Sequence, residues 1–112
     1  MRYCKIEGCS NTIPDYERNH KCSTCRHNLR RYGLTVPARN AMLVGQDNKC
    51  AICDNPTSFE GEFNNKGSAA VVDHCHKTGK VRGILCGHCN MGLGKFKDSI
   101  SSLAAAIRYL DE

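Results

Sequence analysis

Residues 71–90 read VVDHCHKTGKVRGILCGHCN, and this stretch decides the fold. Its two apolar runs are rich in β-branched residues and flank the turn signal KTGK, a pattern that predicts a β-hairpin. The following CGHCNMGLGKF predicts a helix that begins at a Cys-x-x-Cys turn. The stretch also holds three histidines, three cysteines, one aspartate and one asparagine, more than one metal site can use. We therefore expect some of these groups to hold the structure and others to serve chemistry.

The nine cysteines are the scaffold of this chain. Eight of them fall into four close pairs, namely Cys4 with Cys9, Cys22 with Cys25, Cys50 with Cys53, and Cys86 with Cys89. Three pairs have a two-residue gap, whose tight turn lets both sulfurs reach one tetrahedral ion at about 2.3 Å. We therefore predict two structural Zn²⁺ ions, the first held by the first two pairs and the second by the last two. Cys75 is left over and is interpreted as a small buried apolar residue.

The composition also indicates a chain that needs metal. Of its 112 residues, 40% are hydrophobic, 6% are aromatic and none is tryptophan, which gives a thin core for a small domain. No run approaches the roughly 18 apolar residues of a membrane span, and MRYCKIEGCS lacks the apolar centre of a secretory signal. We therefore expect a cytoplasmic protein with reduced cysteines and no membrane partner. A secreted, disulfide-bonded domain is the alternative.

Positive charge is concentrated in the N-terminal part of the chain. The formal net charge is +5, and residues 1–45 contain eight Lys or Arg against three acids, whereas residues 46–112 contain eight of each. The segment CRHNLRRYG predicts a short helix whose spacing places four basic residues on one side: Arg26, His27, Arg30 and Arg31. We interpret that side as a contact for the phosphate backbone of DNA. A solvated basic face is the alternative.

The segment GLTVPARNAMLVGQDNK contains the boundary between two modules. Gly33 can end one helix, and Pro37 can start the next at its first turn. We therefore predict an N-terminal zinc-binding, basic module at residues 1–36 and a second domain at residues 37–112. The predicted helices, hairpin and zinc sites together indicate a small α+β fold that is stabilised by zinc.

Two further segments have a plain structural interpretation. SFEGEFNNKGSA is polar and rich in glycine and asparagine, which predicts a loop or an irregular hairpin. DSISSLAAAIRYL predicts a helix capped by Asp98 or Ser99. Its apolar residues recur at helical spacing and predict a buried face: Ile100, Leu103, Ala104, Ile107 and Leu110.

Once the second zinc has its four sulfurs, the opening stretch still offers Asp73, His74, His76, His88 and Asn90. Asp73 and Asn90 have the hard oxygen atoms that suit Mg²⁺. His74 is a base that can take a proton near neutral pH. A hairpin followed at once by a helix can bring the end of the first strand near the start of the helix. We interpret His88, inside the zinc turn, as an exposed turn residue.

Three segments of the chain stand in the order that one family of nucleases uses: NKCAIC, VVDHCHKTGKVRGILCGHCN and the trailing LG…LAAAIRYL. In these segments the chain resembles the recombination endonuclease VII family. That family contains phage members of the HNH group of His-Me finger, or ββα-metal, nucleases. The resemblance covers about residues 38–110. It implies a ββα-metal core and a DNA endonuclease that hydrolyses phosphodiester bonds. It also implies that His74 is the general base and that His76 contacts the scissile phosphate. By the same resemblance Asp73 and Asn90 hold one catalytic Mg²⁺ or Mn²⁺, and the zinc thiolates are structural.

The geometry of the first strand of the hairpin raises a difficulty. Strand alternation puts His74 and His76 on one face and Asp73 on the other. We predict either that the strand frays or bulges at Asp73, or that metal and water lie on opposite sides of the phosphate. Around the hairpin, Lys80 and Arg82 are predicted to contact DNA, with a solvated rim as the alternative.

Two departures from the family pattern shape the expected function. Endonuclease VII proper continues through helical segments that build a dimer and grip a four-way junction, whereas about twenty residues follow Asn90 here. The four-cysteine module at residues 1–36 resembles zinc-binding additions on some phage HNH proteins. We therefore expect a monomer that nicks double-stranded DNA, in the host cell cytoplasm if the chain is phage-encoded. The alternatives are a resolvase of Holliday junctions and a non-catalytic zinc-finger protein that binds nucleic acid.

Overall fold

The structure is a computed structural model of the chain. It describes residues 2–60 and 68–111. In chain order the elements are β1 (Arg2–Tyr3), β2 (Thr12–Ile13), α1 (Ser23–Tyr32), α2 (Val36–Gly45), β3 (Ala70–His74), β4 (Val81–Cys86), α3 (Gly87–Lys95) and α4 (Ile100–Leu110). β1 pairs with β2 in antiparallel fashion, and β3 pairs with β4. The small α+β fold predicted from the sequence is confirmed. None of the helices in these residues is long and apolar enough to cross a membrane.

The chain packs as two compact units. The first contains Met1–Asn48 and Val72–Ile84, and the second contains Lys49–Val71 and Leu85–Glu112. The sequence predicts a boundary after residue 36, between an N-terminal module and a second domain. It stays a prediction.

Cysteine makes up much of the core of the first unit. Cys4, Cys22 and Cys25 are buried together with Ile13 and Val36. Ile13, with 1% of its surface exposed, is one of the few large side chains that are fully enclosed. So small an apolar cluster provides little hydrophobic stabilisation. The first unit therefore depends on whatever its sulfur atoms bind.

The end of α1 and the start of α2 lie where the sequence predicts. α1 follows Cys22 and ends at Gly33, whose φ of 71° lies in the left-handed region that favours glycine. α2 begins after Thr35, whose hydroxyl accepts a hydrogen bond from the Ala38 N–H, and Pro37 lies in its first turn. A proline there costs no intrahelical hydrogen bond.

β3 and β4 form the predicted hairpin. Residues 75–80 join them, a connection too short for parallel strands, which need a dozen or more residues. The turn is closed by hydrogen bonds from the Cys75 N–H to the Lys80 carbonyl at 2.8 Å and from the Gly79 N–H to the Cys75 carbonyl at 2.7 Å. Gly79 has a φ of 75°, which a side chain would strain. The end of β3 is therefore fixed by a short, well-bonded turn.

The side chain of Gln46 takes the place of a neighbouring strand beside β4. Its amide nitrogen donates to the Ile84 carbonyl at 2.9 Å, and its Oε1 accepts from the Ile84 N–H at 2.9 Å. A Cβ at Gly83 would lie 3.3 Å from that Oε1, so a small residue there leaves room for the amide. Ile84 is fully buried. Gln46 thus satisfies two backbone groups that water does not reach.

The second unit also has cysteines in its core, as seen in the part of the chain that the structure describes. Cys50, Leu85 and Cys86 are buried, with Cys89 and Leu93 packed against them. α3 begins after Cys86, which makes no side-chain cap hydrogen bond and whose sulfur belongs to a cysteine cluster. The helix predicted to start at this Cys-x-x-Cys turn is confirmed. The loop predicted for SFEGEFNNKGSA lies largely in residues 61–67, outside the described part of the chain.

α4 forms as predicted but is not buried. Its cap is Ser99, whose hydroxyl accepts from the Ser102 N–H. Ile100, Ile107 and Leu110 are 84%, 68% and 80% exposed, and Leu103 and Ala104 are only half-buried. The prediction that this face belongs to the core is wrong. A helical period shows that one face is apolar, but it does not show what covers that face.

Replacing Gln46 with alanine should lower the free energy of unfolding by about 1–3 kcal/mol, because two buried backbone groups of Ile84 lose their partners. Equilibrium urea unfolding with Zn²⁺ present measures the change. Asn40→Ala, at an exposed position of α2, is the control and should change it by less than about 0.5 kcal/mol. Equal stability of the Gln46→Ala variant and the wild type would contradict this role.

Candidate metal centres and active site

The first cysteine cluster joins a loop to the start of α1. It comprises Cys4, Cys9, Cys22 and Cys25, whose sulfur atoms all lie within 4.8 Å of one another. The Cys9 sulfur is 3.9 Å from that of Cys22 and 3.7 Å from that of Cys25. The Cys22 N–H donates to the Cys4 sulfur at 3.2 Å, and the Asn11 amide donates to the Cys22 sulfur at 3.3 Å. These donors favour ionised sulfur.

The second cluster repeats this plan at the start of α3. It comprises Cys50, Cys53, Cys86 and Cys89, again with all sulfurs within 4.8 Å. The sulfurs of Cys53 and Cys86 are 3.7 Å apart. The Ile52 N–H donates to the Cys50 sulfur at 3.4 Å. Each cluster therefore unites one pair from a loop with one pair at a helix N-terminus.

The sulfur–sulfur distances fit a tetrahedral zinc ion. Four ligands at about 2.3 Å from a central Zn²⁺ lie about 3.8 Å apart, close to the 3.7 and 3.9 Å seen here. A disulfide would bring two sulfurs to about 2.0 Å, and all nine cysteines are free thiols. The predicted grouping of eight cysteines into two four-sulfur sites is confirmed. The disulfide-bonded alternative is wrong.

Each cluster has one thiol that ionises near neutral pH. Burial acts to raise the pKa of Cys22, but hydrogen bonds from Asn11 and Cys25 outweigh it and lower the pKa to about 7. Burial likewise opposes ionisation of Cys50, but backbone N–H groups, that of Cys53 first, lower its pKa to about 6. The thiolate is the form that binds metal. Each site therefore offers an anion to an incoming cation.

In each cluster one other thiol resists ionisation when no cation is close, Cys25 in the first and Cys89 in the second. Burial, and then contact with neighbouring cysteines, raises the pKa of Cys25 to about 12. The same causes raise the pKa of Cys89. A bound metal ion reverses this balance, because a coordinating thiol loses its proton outright. The crowding of sulfur is therefore stable only around a cation.

Asp73 and Arg82 form a cross-strand ion pair in the hairpin. Arg82 Nε donates to Asp73 Oδ2 at 2.8 Å, and Arg82 Nη2 donates to Asp73 Oδ1 at 3.0 Å. Nη2 also lies 3.4 Å from the carbonyl oxygen of His74. Asp73 is buried, so this two-pronged contact fixes its carboxylate. Counting outward from Cys75 opposite Lys80 would have placed these two residues face to face, a signal that the sequence interpretation missed.

β3 remains regular through Asp73 and ends at His74. The bulge considered for Asp73 is therefore not found. His76 lies beyond the strand, in the turn. The other expectation, that neighbouring residues act on opposite sides of the phosphate, stays a prediction.

The imidazole of His74 lies against two other rings. The His76 ring is 5.0 Å away between centroids, and the Tyr32 ring, from α1, is 5.4 Å away. His74 is half-buried, whereas His76 is exposed. The structure thus brings the two predicted histidines together. It also adds Tyr32, which no motif in the sequence links to His74.

Asn90 follows Cys89 in α3 and is half-buried. Within residues 2–60 and 68–111, the groups of three or more His, Cys, Asp or Glu side chains that could hold a metal ion are the two cysteine clusters. Asp73 and Asn90 offer one carboxylate and one amide, which is fewer than the three side chains that such a group contains. The metal-binding roles of Asp73 and Asn90 therefore stay predictions. His88 is exposed, as expected.

A basic cleft of about 580 Å³ lies along α1 and the turn before it. Its lining consists of Asn19, Lys21, Ser23, Arg26, His27, Leu29 and Arg30. Three residues of the predicted phosphate-binding side line this cleft, namely Arg26, His27 and Arg30, and Lys21 is an addition. Arg26 also pairs with Glu17 at 3.4 Å. Arg31 lies elsewhere, with its guanidinium carbon 5.9 Å from the centroid of the Tyr32 ring.

Cys75 is half-buried, not the buried apolar residue predicted. Its sulfur accepts hydrogen bonds from the Thr78 side chain, from the backbone of Thr78 and from that of Lys77, and the charge of Arg82 acts in the same direction. Together they lower the pKa of the Cys75 thiol from 9.0 to about 7. The turn therefore holds a thiol that ionises at neutral pH.

Known proteins similar to this chain are nucleases and phage proteins. The profile of the family described as recombination endonuclease VII matches residues 25–112. The Gene 59 protein of Mycobacterium phage D29 is 41% identical over 83 residues, which cover 73% of this chain and 46% of that protein. The Gene 59 protein of Mycobacterium phage L5 is 39% identical over 83 residues, with the same coverage. The chain spans about half the length of these curated relatives.

Among solved structures, the ββα-Me type II restriction endonuclease Hpy99I aligns with a TM-score of 0.46 and 26% identity. The alignment covers 98% of this chain and 55% of that chain.

Alkylation of Cys75 should have a midpoint near pH 7, because the thiolate reacts and the pKa of this thiol is about 7. Mass spectrometry of iodoacetamide-treated protein across pH 5–10 measures the midpoint. Thr78→Ala should move it upward, towards the ordinary thiol value near 8.5, since the main hydrogen bond to sulfur is lost. A midpoint near 8.5 in both proteins would contradict the geometry of the turn.

Proposed function

Because the chain belongs to the recombination endonuclease VII family, we propose that it is a metal-dependent DNA endonuclease that hydrolyses phosphodiester bonds and nicks double-stranded DNA. The main support is the end of β3, where a half-buried imidazole and a buried carboxylate, His74 and Asp73, are adjacent and held by Arg82. Phosphodiester hydrolysis needs a base for water and a cation for the phosphate. At this strand end His74 is the candidate base, and Asp73 is a candidate ligand for the cation.

We propose that each cysteine cluster holds one structural Zn²⁺. Four thiolates fill the tetrahedral shell and leave no position for a reactive water. α1 and α3 each begin at a cluster, so the metal fixes where both helices start. In such small units the free energy of metal binding is also free energy of folding.

The donor chemistry of Asp73 and Asn90 fits one catalytic Mg²⁺ or Mn²⁺. Carboxylate and amide oxygens are hard ligands of the kind these ions prefer. Each Asp73 oxygen has two lone pairs, so the hydrogen bonds from Arg82 do not exhaust it. When bound, the cation would supply positive charge to the phosphate and to the departing oxygen.

His74 is proposed as the general base. A neutral imidazole at the end of β3 can take a proton from the attacking water, which contributes on the order of 10² to 10⁴ in rate. His76 is exposed, with its ring 5.0 Å from that of His74. We assign it the contact with the scissile phosphate.

Arg82 is proposed to act mainly on Asp73. Its two short hydrogen bonds set the rotamer of the carboxylate, and Nη2 also approaches the His74 carbonyl. The Arg82 side chain is still 39% exposed. A phosphate can therefore approach the outer edge of the guanidinium, which keeps the predicted DNA contact as a second role.

The basic cleft supports DNA binding through the phosphate backbone. Lys21 and Arg30 line it without an acidic side chain among the lining residues. Lys80 and Arg31 are exposed and add positive charge outside the cleft. We therefore propose Arg26, Arg30, Arg31 and Lys80 as phosphate contacts, with Arg26 weakened by its pair with Glu17.

Cleavage of branched DNA is the second candidate, since the family is named for recombination. A nickase acts as a monomer with one active site, whereas paired cuts across a junction need two sites. We favour the monomeric nickase. We also propose the cytoplasm of an infected cell as its location, because the similar Gene 59 proteins are phage proteins.

Native mass spectrometry should find two Zn²⁺ ions per chain. Cys22→Ser and Cys50→Ser should each reduce zinc binding at one site, whereas Cys75→Ser should keep both ions. Acidification should release the metal, because protons compete with zinc for the thiolates. A stoichiometry of one in the wild type, or loss of zinc on replacing Cys75, would contradict the assignment of the sulfurs.

Replacing His74 with alanine should lower the rate of plasmid nicking in Mg²⁺ by about 10² to 10⁴, because the base is lost. Asp73→Ala should also lose activity, and its metal dependence should shift to higher concentration. His88→Ala, at an exposed histidine, is the control. The proposal fails if His74→Ala cleaves as fast as the wild type at equal zinc content, or if neither protein cleaves.

The products from three substrates separate nicking from junction cleavage. Supercoiled plasmid, linear duplex and a four-way junction are incubated with the wild type in Mg²⁺. Nicked circles without preference for the junction support the nickase. Paired cuts confined to the junction, by a dimeric protein, would favour the resolvase.

A further inference from the structure

Tyr32 brings helix α1 into contact with the proposed base. It is the last residue of α1, and its ring centroid lies 5.4 Å from that of His74, with the ring planes at 56°. Aromatic pairs favour tilted arrangements at centroid distances of about 4.5–7 Å. The two residues are 42 positions apart in the chain, so the contact is a product of the tertiary fold.

The Tyr32 ring is itself held in place. The His27 ring lies nearly perpendicular to it at a centroid distance of 6.2 Å, and the Arg31 guanidinium carbon lies 5.9 Å from its centroid. Gly33 ends the helix immediately afterwards. At its other end α1 starts between Cys22 and Cys25, two sulfurs of the first cluster. The ring therefore has a defined position relative to that cluster.

The other neighbours of His74 are less suited to fixing its imidazole. His76 is an exposed turn residue. Arg82 donates a hydrogen bond to the backbone carbonyl of His74. Tyr32, half-buried at the end of a helix, is the firmer of the two ring contacts. A base must point at its water, and a misplacement of about 1 Å can cost 10²-fold in rate.

We propose that Tyr32 is a positioning residue that holds the His74 imidazole in the orientation needed to accept a proton from water. This inference rests on the proposed role of His74. The contact between the two rings supplies the effect, so the proposal assigns no part to the Tyr32 hydroxyl. The first cysteine cluster thereby serves the active site as well as the N-terminal module, because it anchors the helix that carries Tyr32.

The kinetic test compares Tyr32→Ala with Tyr32→Phe. The alanine variant should lose about tenfold in kcat for plasmid nicking, with KM for DNA and zinc content unchanged, because binding does not depend on the aim of the base. The phenylalanine variant should restore kcat, since it keeps the ring. Tyr16→Ala, which removes a tyrosine that is 87% exposed, is the matched control and should keep full activity.

A double-mutant cycle shows whether Tyr32 acts through His74. In a His74→Ala background there is no imidazole to position, so adding Tyr32→Ala should cause no further loss of the residual activity. An additional tenfold loss would overturn the proposal, because it would show a general structural effect. An unchanged kcat for Tyr32→Ala in the wild-type background would overturn it equally.

A spectroscopic measurement is independent of cleavage. The ring current of Tyr32 should displace the imidazole proton resonances of His74, and Tyr32→Leu should shift them while Tyr32→Phe and the resonances of His88 stay near the wild-type values. Resonances of His74 that do not move would disprove the contact. If the wild type does not cleave DNA, the proposed function and the positioning role both fall; if it cleaves and Tyr32→Ala does so equally well, the positioning role alone falls.

Discussion

The crowding of four sulfur atoms within 4.8 Å, twice in one short chain, is the constraint on which the rest of the structure depends. Such crowding is favourable only around a cation, because burial and neighbouring thiols otherwise oppose ionisation, as at Cys25 and Cys89. Each cluster joins a loop pair to a helix N-terminus. The clusters therefore determine where α1 and α3 begin, in units whose apolar cores are too small to do so alone.

Helix α1 shows how one short element can serve several purposes. Cys25, Asn28 and Tyr32 recur at intervals of three or four residues, which places them on one side of the helix. Cys25 and Asn28 are buried, whereas Arg26 and Arg30 line the basic cleft. The same ten-residue helix thus carries a sulfur of the first cysteine cluster, a contact with His74 and two arginines of the basic cleft.

The β3–β4 hairpin is held by several independent contacts. The Arg82 guanidinium fixes the Asp73 carboxylate from the paired strand, and Tyr32 packs against His74. Gln46 binds both backbone groups of Ile84 in β4. A general base gains from such rigidity, because catalysis needs its lone pair aimed before the substrate arrives. We infer that these contacts connect the fold built on the cysteine clusters with the proposed hydrolysis.

The sequence by itself determined the features that depend on near neighbours. The spacing of the cysteines predicts the two clusters. Gly33 predicts the end of α1, and the hairpin turn predicts the end of β3, because caps and turns depend on a few adjacent residues. Only the tertiary structure decided which distant side chains meet. The Gln46 contact with Ile84 spans 38 positions, and no local pattern specifies such a partner. The exposed apolar face of α4 has the same origin, because periodicity marks a face for burial while packing alone decides whether it is covered.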